Sequence, residues 1–388
     1  MALPLLISGW VAMRQHTIRK PVSIEGVGLH SGKVARVTVS PAPPDAGVVF
    51  KERATGERIP ARPESVVNSH YATTLGANAT RIQTVEHLMA AAAGLGIDNI
   101  EIEVDGPEIP ALDGSAKPFV ALLAFAGRVQ QSARRRMLSL PCPLRVGGAG
   151  RWIHIVPSDT LRISYTLDND HPAIGTQVLS WSPSERSFVE EFAPARTYGF
   201  LRDLGLMRKN GLARGGSLDN AIVLGNSGAL NGLRYRDEFV RHKILDLLGD
   251  LALLGRPLRA HVIARNGGHA LNLELVLAVQ RAAGLERRAA ATASATGPRR
   301  RPGRPRSARA SSRRPVSSRS RLLSRPSAVS DLPRVSRIYH AIIARFAVCA
   351  PCGSLVISSR PRWRSPSPRR RAPSCASATW TSSSTTMR

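Results

Sequence analysis

At 388 residues the chain is long enough for two domains of ordinary size. Its formal charge of +28 suggests a nucleic-acid partner until it is mapped: residues 289–388 carry 21 Arg, no Lys and one acid, Asp331, which leaves the rest 34 basic and 26 acidic groups, a net of +8. Four Cys, of which only Cys142 precedes that tail, argue against a disulfide framework, and no uninterrupted apolar run reaches the length of a membrane span, so the body reads as soluble, from a reducing compartment.

Residues 1–12 are mostly apolar but lack the basic start of a signal peptide; Met13 opens a more ordinary beginning, so an over-called start fits better. Residues 17–49 are strand-like, with β-branched alternation over 34–40 ended by Pro41, Pro43 and Pro44. The glycine-rich connection 26–32 carries His30, most simply structural, and residues 51–82 are polar with short strand candidates. A helix is predicted over 83–96: Thr84 can cap it, four alanines favour it, and Gly94 and Gly96 supply its stop. Glu86 and His87 fall in its first turn, either as a capping carboxylate and a surface imidazole or as a general base beside a metal ligand. Residues 99–105 alternate as a half-buried strand, and 112–119 turn into an apolar helix that runs to Ala126. The polar, basic stretch 128–138 reads as a linker.

The pattern then starts over. Residues 150–159 echo the strand-then-proline of 35–45, residues 240–245 echo 85–88, and a strand candidate follows the helix each time, which suggests two copies of one supersecondary plan. A cleft between the copies could bring His87 and His242 together. Residues 195–200 put Thr197 just before a mixed stretch, 201–220, that carries Leu204, Leu206, Met207 and Leu212. Over 239–250 the apolar residues recur at helical spacing, so His242 and Asp246, at i and i+4, stand on one face. Asp250 continues that face, and Lys243 sits about 100° around it. An imidazole and a carboxylate suit zinc, which in a catalytic site takes three protein ligands and leaves a position for water; the pair alone could equally be solvated. Residues 266–272 place His269 on a glycine-loosened turn before an apolar helix over 273–283. Beyond Arg288, Arg, Ser, Pro and Ala dominate, a composition that cannot bury enough apolar surface to fold alone. Two accounts stand for it, a disordered basic arm and an out-of-frame reading of GC-rich coding sequence, and the loss of Lys favours the second. The CxxC at 349–352 lacks a second pair and is read as chance.

Five motifs occur in order: Thr-Val-Glu-His-Leu (84–88), Leu-Asp-Gly-Ser-Ala-Lys-Pro-Phe (112–119), Arg-Thr-Tyr-Gly-Phe (196–200), Arg-His-Lys-Ile-Leu-Asp (241–246) and Gly-His-Ala-Leu-Asn (268–272). With them the chain resembles, over residues 13–287, the UDP-3-O-acyl-N-acetylglucosamine deacetylases, cytoplasmic zinc amidases of lipid A biosynthesis. The resemblance implies an α+β fold of two similar sheet-and-helix domains packed face to face, 13–130 and 139–288, with the active site between them. Residues 1–12 and 289–388 have no counterpart. It further implies that His87, His242 and Asp246 bind Zn2+, that Glu86 is the general base, and that Thr197 helps hold the oxyanion. His269, oriented by Asp250, would be the cationic partner and candidate general acid, the proton for the leaving amine coming from it or from Glu86, and Lys243 would bind and polarise substrate. Tyr198, Phe200, Met207 and Leu212, in an insert near 198–222, would line a passage for the fatty acyl chain of a UDP-sugar. Asp-Asn-Asp-His-Pro at 168–172 departs from the Asp-Phe-Asn-His-Pro of several relatives, which puts an aromatic contact to uridine in doubt. Rival readings are a nucleic-acid-binding protein acting through the tail, and a zinc deacetylase of another N-acetylated sugar. Neither an obligate protein partner nor a nucleic acid is expected for the body.

Overall fold

Alternating segments become strands, and the alanine- and leucine-rich segments become helices. The structure, a computed structural model, describes residues 13–284 and Ser354–Leu355. The first half runs β1 (Arg14–Ile18), β2 (Val22–Val27), β3 (Val34–Pro41), β4 (Val48–Glu52), β5 (Arg58–Pro60), β6 (Val66–Asn68), β7 (Thr74–Ala77), β8 (Thr80–Ile82), α1 (Glu86–Gly94), β9 (Ile100–Asp105), α2 (Lys117–Ala126) and β10 (Arg128–Arg134). The second runs β11 (Leu138–Ser139), β12 (Leu144–Gly147), β13 (Trp152–Pro157), β14 (Arg162–Asn169), β15 (Gly175–Trp181), α3 (Glu185–Ser187), β16 (Tyr198–Phe200), α4 (Leu201–Lys209), β17 (Ile222–Leu224), α5 (Glu238–Leu251), β18 (Leu258–Arg265) and α6 (His269–Ala282).

The main sheets share one plan. In the first half the order is β2-β3-β9-β4-β5, with β9 antiparallel to β3 and parallel to β4. In the second it is β12-β13-β18-β14-β15, with β18 antiparallel to β13 and parallel to β14. Each half thus makes two strand pairs and a helix, and then inserts the next strand between the pairs before a closing helix. The echo of 35–45 in 150–159 is the equivalence of β3 and β13. Ser354–Leu355 adds a two-residue parallel strand beside β2.

Each sheet turns one apolar row inward, as Val37, Val39, Ile102 and Val104 do in one half and Ile153, Ile155, Val262 and Ala264 in the other, all essentially inaccessible. The halves meet through their helices, with α1 against α5. Seven of the nine residues of α1 and twelve of the fourteen of α5 are buried, so their polar residues lie in the interior rather than on a wet face. Gly249 makes the approach possible: a Cβ there would stand 2.9 Å from the carbonyl carbon of Glu86 and nearer still to its oxygen. No helix among the described residues is long and apolar enough to cross a membrane.

Three expectations fail for local reasons. The supposed linker contains β10, which pairs antiparallel with β1; its exposed Arg128, Gln130, Ser132 and Arg134 alternate with half-buried Val129, Gln131 and Ala133. Thr84 does not cap α1, because it adopts a left-handed φ of 62° and its hydroxyl donates to Glu108 at 2.9 Å. α6 begins at His269 itself, four residues before the expected start, since Gly268 is extended and the helix follows it directly. The expectations for residues 1–12 and for the tail lie outside the described residues, apart from Ser354 and Leu355.

Candidate active site

Where α1 meets α5, three side chains converge. His87 on the first turn of α1, and His242 and Asp246 one turn apart on α5, offer ligand atoms that all lie within 4.8 Å of one another, and all three are buried. His242 Nδ1 lies 3.1 Å from the carbonyl oxygen of Ala195; a donated bond there leaves Nε2 with a free lone pair. Burial holds the His242 pKa down to about 3 against the pull of Asp246, so the ring is neutral, as a ligand must be.

Asp246 tests whether a metal fits. Lys243 Nζ donates to its Oδ2 at 2.8 Å. Its Oδ1 is buried without any hydrogen-bond partner, yet stands 3.2 Å from His242 Nε2 and 3.6 Å from His87 Nε2. A buried carboxylate oxygen without a donor is costly, and burial would raise this pKa, but the Lys243 ammonium beside it holds it well below the usual carboxylate range. Tetrahedral zinc with bonds near 2.0–2.1 Å separates its ligand atoms by about 3.3 Å. The spacing, the nitrogen and oxygen donors and the orphaned oxygen therefore fit that ion.

Beside the triad lies a second carboxylate–imidazole group. Burial raises the Glu86 pKa despite His269 and His87 nearby, and its Oε1 is 3.8 Å from His269 Nε2. His269 Nδ1 donates to Asp250 Oδ2 at 2.8 Å, which directs Nε2 toward Glu86. Burial would discharge this imidazole, but the carboxylates of Asp250 and Glu86 outweigh it and push the pKa up to about 9. The site thus holds one carboxylate that accepts a proton more readily than usual and one imidazolium that keeps its own. Lys243 is tied to Asp246, with its Nζ 5.6 Å from the ring centre of Tyr198.

Thr197 is half-buried, two residues from the Ala195 carbonyl; its N–H donates to Gly114 and its carbonyl accepts from Ile222, each at 2.8 Å. Tyr198 and Phe200 follow on β16, and Tyr198 packs edge-on against Phe239. α4 buries none of its residues; Met207 and Leu212 are half-buried, while Leu206 is 65% exposed. Phe200 lines a cavity of about 270 Å³ with His171, Arg202 and Leu224; Tyr198, Met207 and Leu212 line neither this nor the larger cavity of about 710 Å³ beside it. The larger one is walled by Asp168, Asn169, His171, Arg202, Arg265 and Asn266, so the departing 168–172 motif forms part of it.

Sequence reasoning missed Thr73 and Asn272. Thr73 donates its N–H to Glu86 Oε2 at 3.1 Å and its hydroxyl to Asp250 Oδ1 at 2.6 Å, and Asn272 Nδ2 donates to Asp250 Oδ2 at 2.8 Å. Asn272 stands three residues after His269, a helical spacing that could have flagged it; Thr73 carries no local signal.

Residues 15–281 match the family UDP-3-O-acyl N-acetylglycosamine deacetylase. The chain is 50% identical over 264 residues to the UDP-3-O-acyl-N-acetylglucosamine deacetylase of Oleidesulfovibrio alaskensis, an alignment covering 67% of this chain and 87% of that one. It is 47% identical over 275 residues to the protein of that name from Anaeromyxobacter sp. (70% and 90% covered), and 48% identical over 266 residues to that of Myxococcus xanthus (68% and 85%).

Proposed function

The chain belongs to the UDP-3-O-acyl N-acetylglycosamine deacetylase family and is a deacetylase, and on that basis we propose that it is a zinc enzyme acting on UDP-3-O-(3-hydroxyacyl)-N-acetylglucosamine in the cytoplasm, at the committed step of lipid A biosynthesis. The observation that carries the metal reading is the partnerless Asp246 Oδ1 facing two imidazole nitrogens. His87, His242 and Asp246 hold the ion. When bound, zinc supplies Lewis acidity, acidifying water and polarising the amide carbonyl.

The chain's own groups do the rest. Glu86 takes a proton from the attacking water as its oxygen bonds to the acetyl carbon, a task for which its burial-raised basicity suits it. The Thr197 hydroxyl donates to the oxygen on which charge develops. The C–N bond then breaks, acetate leaves, and His269, protonated at neutral pH and aimed by Asp250, gives its Nε2 proton to the departing amine nitrogen. Lys243 holds Asp246 Oδ2 and, at the rim of the site, the substrate. Arg202 and Arg265, the latter paired with Asp168 at 2.6 Å, are the cations in the wall of the larger cavity that suit the two negative charges of the UDP diphosphate. Asn169, in that wall, offers hydrogen bonds to uracil in place of an aromatic ring. Tyr198, Phe200, Met207 and Leu212 lie along the path of the acyl chain.

The test is acetate release from the UDP-sugar by the purified full chain. It should stop on chelation and return with about one zinc per chain. Undiminished turnover after complete metal removal would overturn the metal assignment, and turnover of N-acetylglucosamine lacking UDP and acyl groups at the same rate would overturn the substrate.

A further inference from the structure

Thr73 lies on the turn between β6 and β7, in the half of the chain opposite Asp250 and His269, and is 2% exposed. Its two donors reach both reacting pairs. The backbone N–H fixes Glu86 Oε2 at 3.1 Å and leaves Oε1 turned toward His269. The hydroxyl donates to Asp250 Oδ1 at 2.6 Å and stands 3.3 Å from His269 Nδ1. The other oxygen of Asp250 already takes the His269 ring and Asn272. All three donors are thus needed to set the rotation of that carboxylate, and one of them comes from across the junction between the halves. Without the hydroxyl, Oδ1 is a buried charged acceptor with nothing to accept, and the carboxylate turns to find a donor, carrying the imidazole with it. His269 Nδ1 does not compete for the hydroxyl proton, since it carries the proton that it donates to Asp250 Oδ2.

We propose that Thr73 is a positioning residue of the deacetylation site, holding the proton-accepting Glu86 and the proton-giving Asp250–His269 pair at a fixed separation across the two halves of the protein. It touches neither the metal ligands' donor atoms nor the cavities, so its contribution appears in turnover and not in binding. The proposal rests on the roles given above to Glu86 and His269.

The experiment compares Thr73→Val, which keeps the shape and the backbone N–H but removes the hydroxyl, with Thr73→Ser, which restores it. The full chain is assayed for kcat, KM and bound zinc, and, in its metal-free form, for the ¹⁵N-histidine NMR signal of the His269 ring N–H. Thr73→Val should lower kcat by about 10- to 100-fold, the scale of a small misplacement of reacting groups. KM should stay within about twofold and zinc content should be unchanged, as expected when only transition-state interactions are lost. Thr73→Ser should recover most of that turnover. The protected ring N–H signal should be lost or shifted in the Val variant and regained in Ser. Unchanged kcat in Thr73→Val, or a Ser variant as slow as Val, overturns the proposal. Loss of zinc or of fold in Val with full activity in Ser supports a merely structural hydroxyl and overturns it too. If the wild-type chain fails to deacetylate the UDP-sugar, the functional reading falls; the ring signal then decides alone, and a signal indifferent to Thr73→Val removes the proposed clamp.

Discussion

Replacing Gly249 by alanine tests whether the active site depends on how closely α5 lies on α1. The added Cβ would stand 2.9 Å from the Glu86 carbonyl carbon and 3.2 Å from its Cα, against rigid backbone that no side-chain rotation can relieve. Relief to ordinary carbon–carbon contact near 3.5–4.0 Å requires the helices to separate by on the order of 1 Å. Overpacking of this kind costs about 1–3 kcal/mol, while alanine in place of glycine inside a helix returns about 1 kcal/mol. The net loss is then about 0–2 kcal/mol, a fall in Tm of no more than roughly 8 °C for a body of this size. The larger effect falls on the site, because Glu86 and His87 ride on α1 while His242, Asp246 and Asp250 ride on α5. A shift of that size should weaken zinc binding and lower kcat by about 10²-fold. Differential scanning calorimetry, metal analysis and acetate release on Gly249→Ala check this. Gly205→Ala in α4 serves as the control, since a Cβ there meets nothing within 4 Å and should leave Tm level or slightly raised. Wild-type zinc affinity and turnover in Gly249→Ala would show that the helix approach does not set the site.

The ligand and base roles separate by metal content: His87→Ala, His242→Ala and Asp246→Ala should each lose zinc, whereas Glu86→Gln should keep it and lose at least about 10²-fold in kcat. For pH, the His269 pKa raised to about 9 puts the alkaline limb of kcat/KM near or below that value, lowered further by a neighbouring dication, and His269→Ala should abolish the limb along with most of the rate. The same group gives a stability signature in metal-free protein. Its folded pKa lies above the unfolded 6.5, so its contribution is fully present below pH 6.5 and is lost as pH rises through about 9; Tm should fall across that window and should not do so in His269→Ala. For the acyl chain, each methylene buried on Phe200 and its neighbours contributes about 0.8 kcal/mol, so shortening it by four carbons should lower kcat/KM by up to about 10²-fold, and a flat dependence on chain length would remove these residues from the binding path.

Much of this was legible locally. The period of α5 put His242 and Asp246 on one face, and the repeated strand–helix–strand order put His87 in the matching place of the other half. β10 was hidden because its inner row, Val129, Gln131 and Ala133, is scarcely more apolar than its outer one, and pairing with β1, more than a hundred residues away, supplies what the segment lacks in apolar character. The conformation of Thr84 answers to Glu108, which is 24 residues distant. Thr73 and Asp250 are 177 residues apart, and no window along the chain contains both. Contacts of that length come from tertiary packing, whereas a helix face is written within one turn.

The late insertion of β18 has a consequence for how the protein is made. β13 and β14 are neighbours in the chain, but neither pairs with the other in the sheet; β18 lies between them and arrives about a hundred residues later. On a ribosome, the strand pairs of the second half emerge with a gap at the centre of their sheet, and residues 182–257 must follow before the gap can close. Until then Ile153, Ile155, Ile163 and Tyr165 have unpaired backbone on one side, a template for association with other chains. The first half resolves the same gap sooner, because β9 trails β4 by only about fifty residues. Synthesis should therefore yield a folded first half, bearing Glu86 and His87, tethered to an open second half. Its exposure to chaperones and proteases ends only when residue 265 has cleared the exit tunnel.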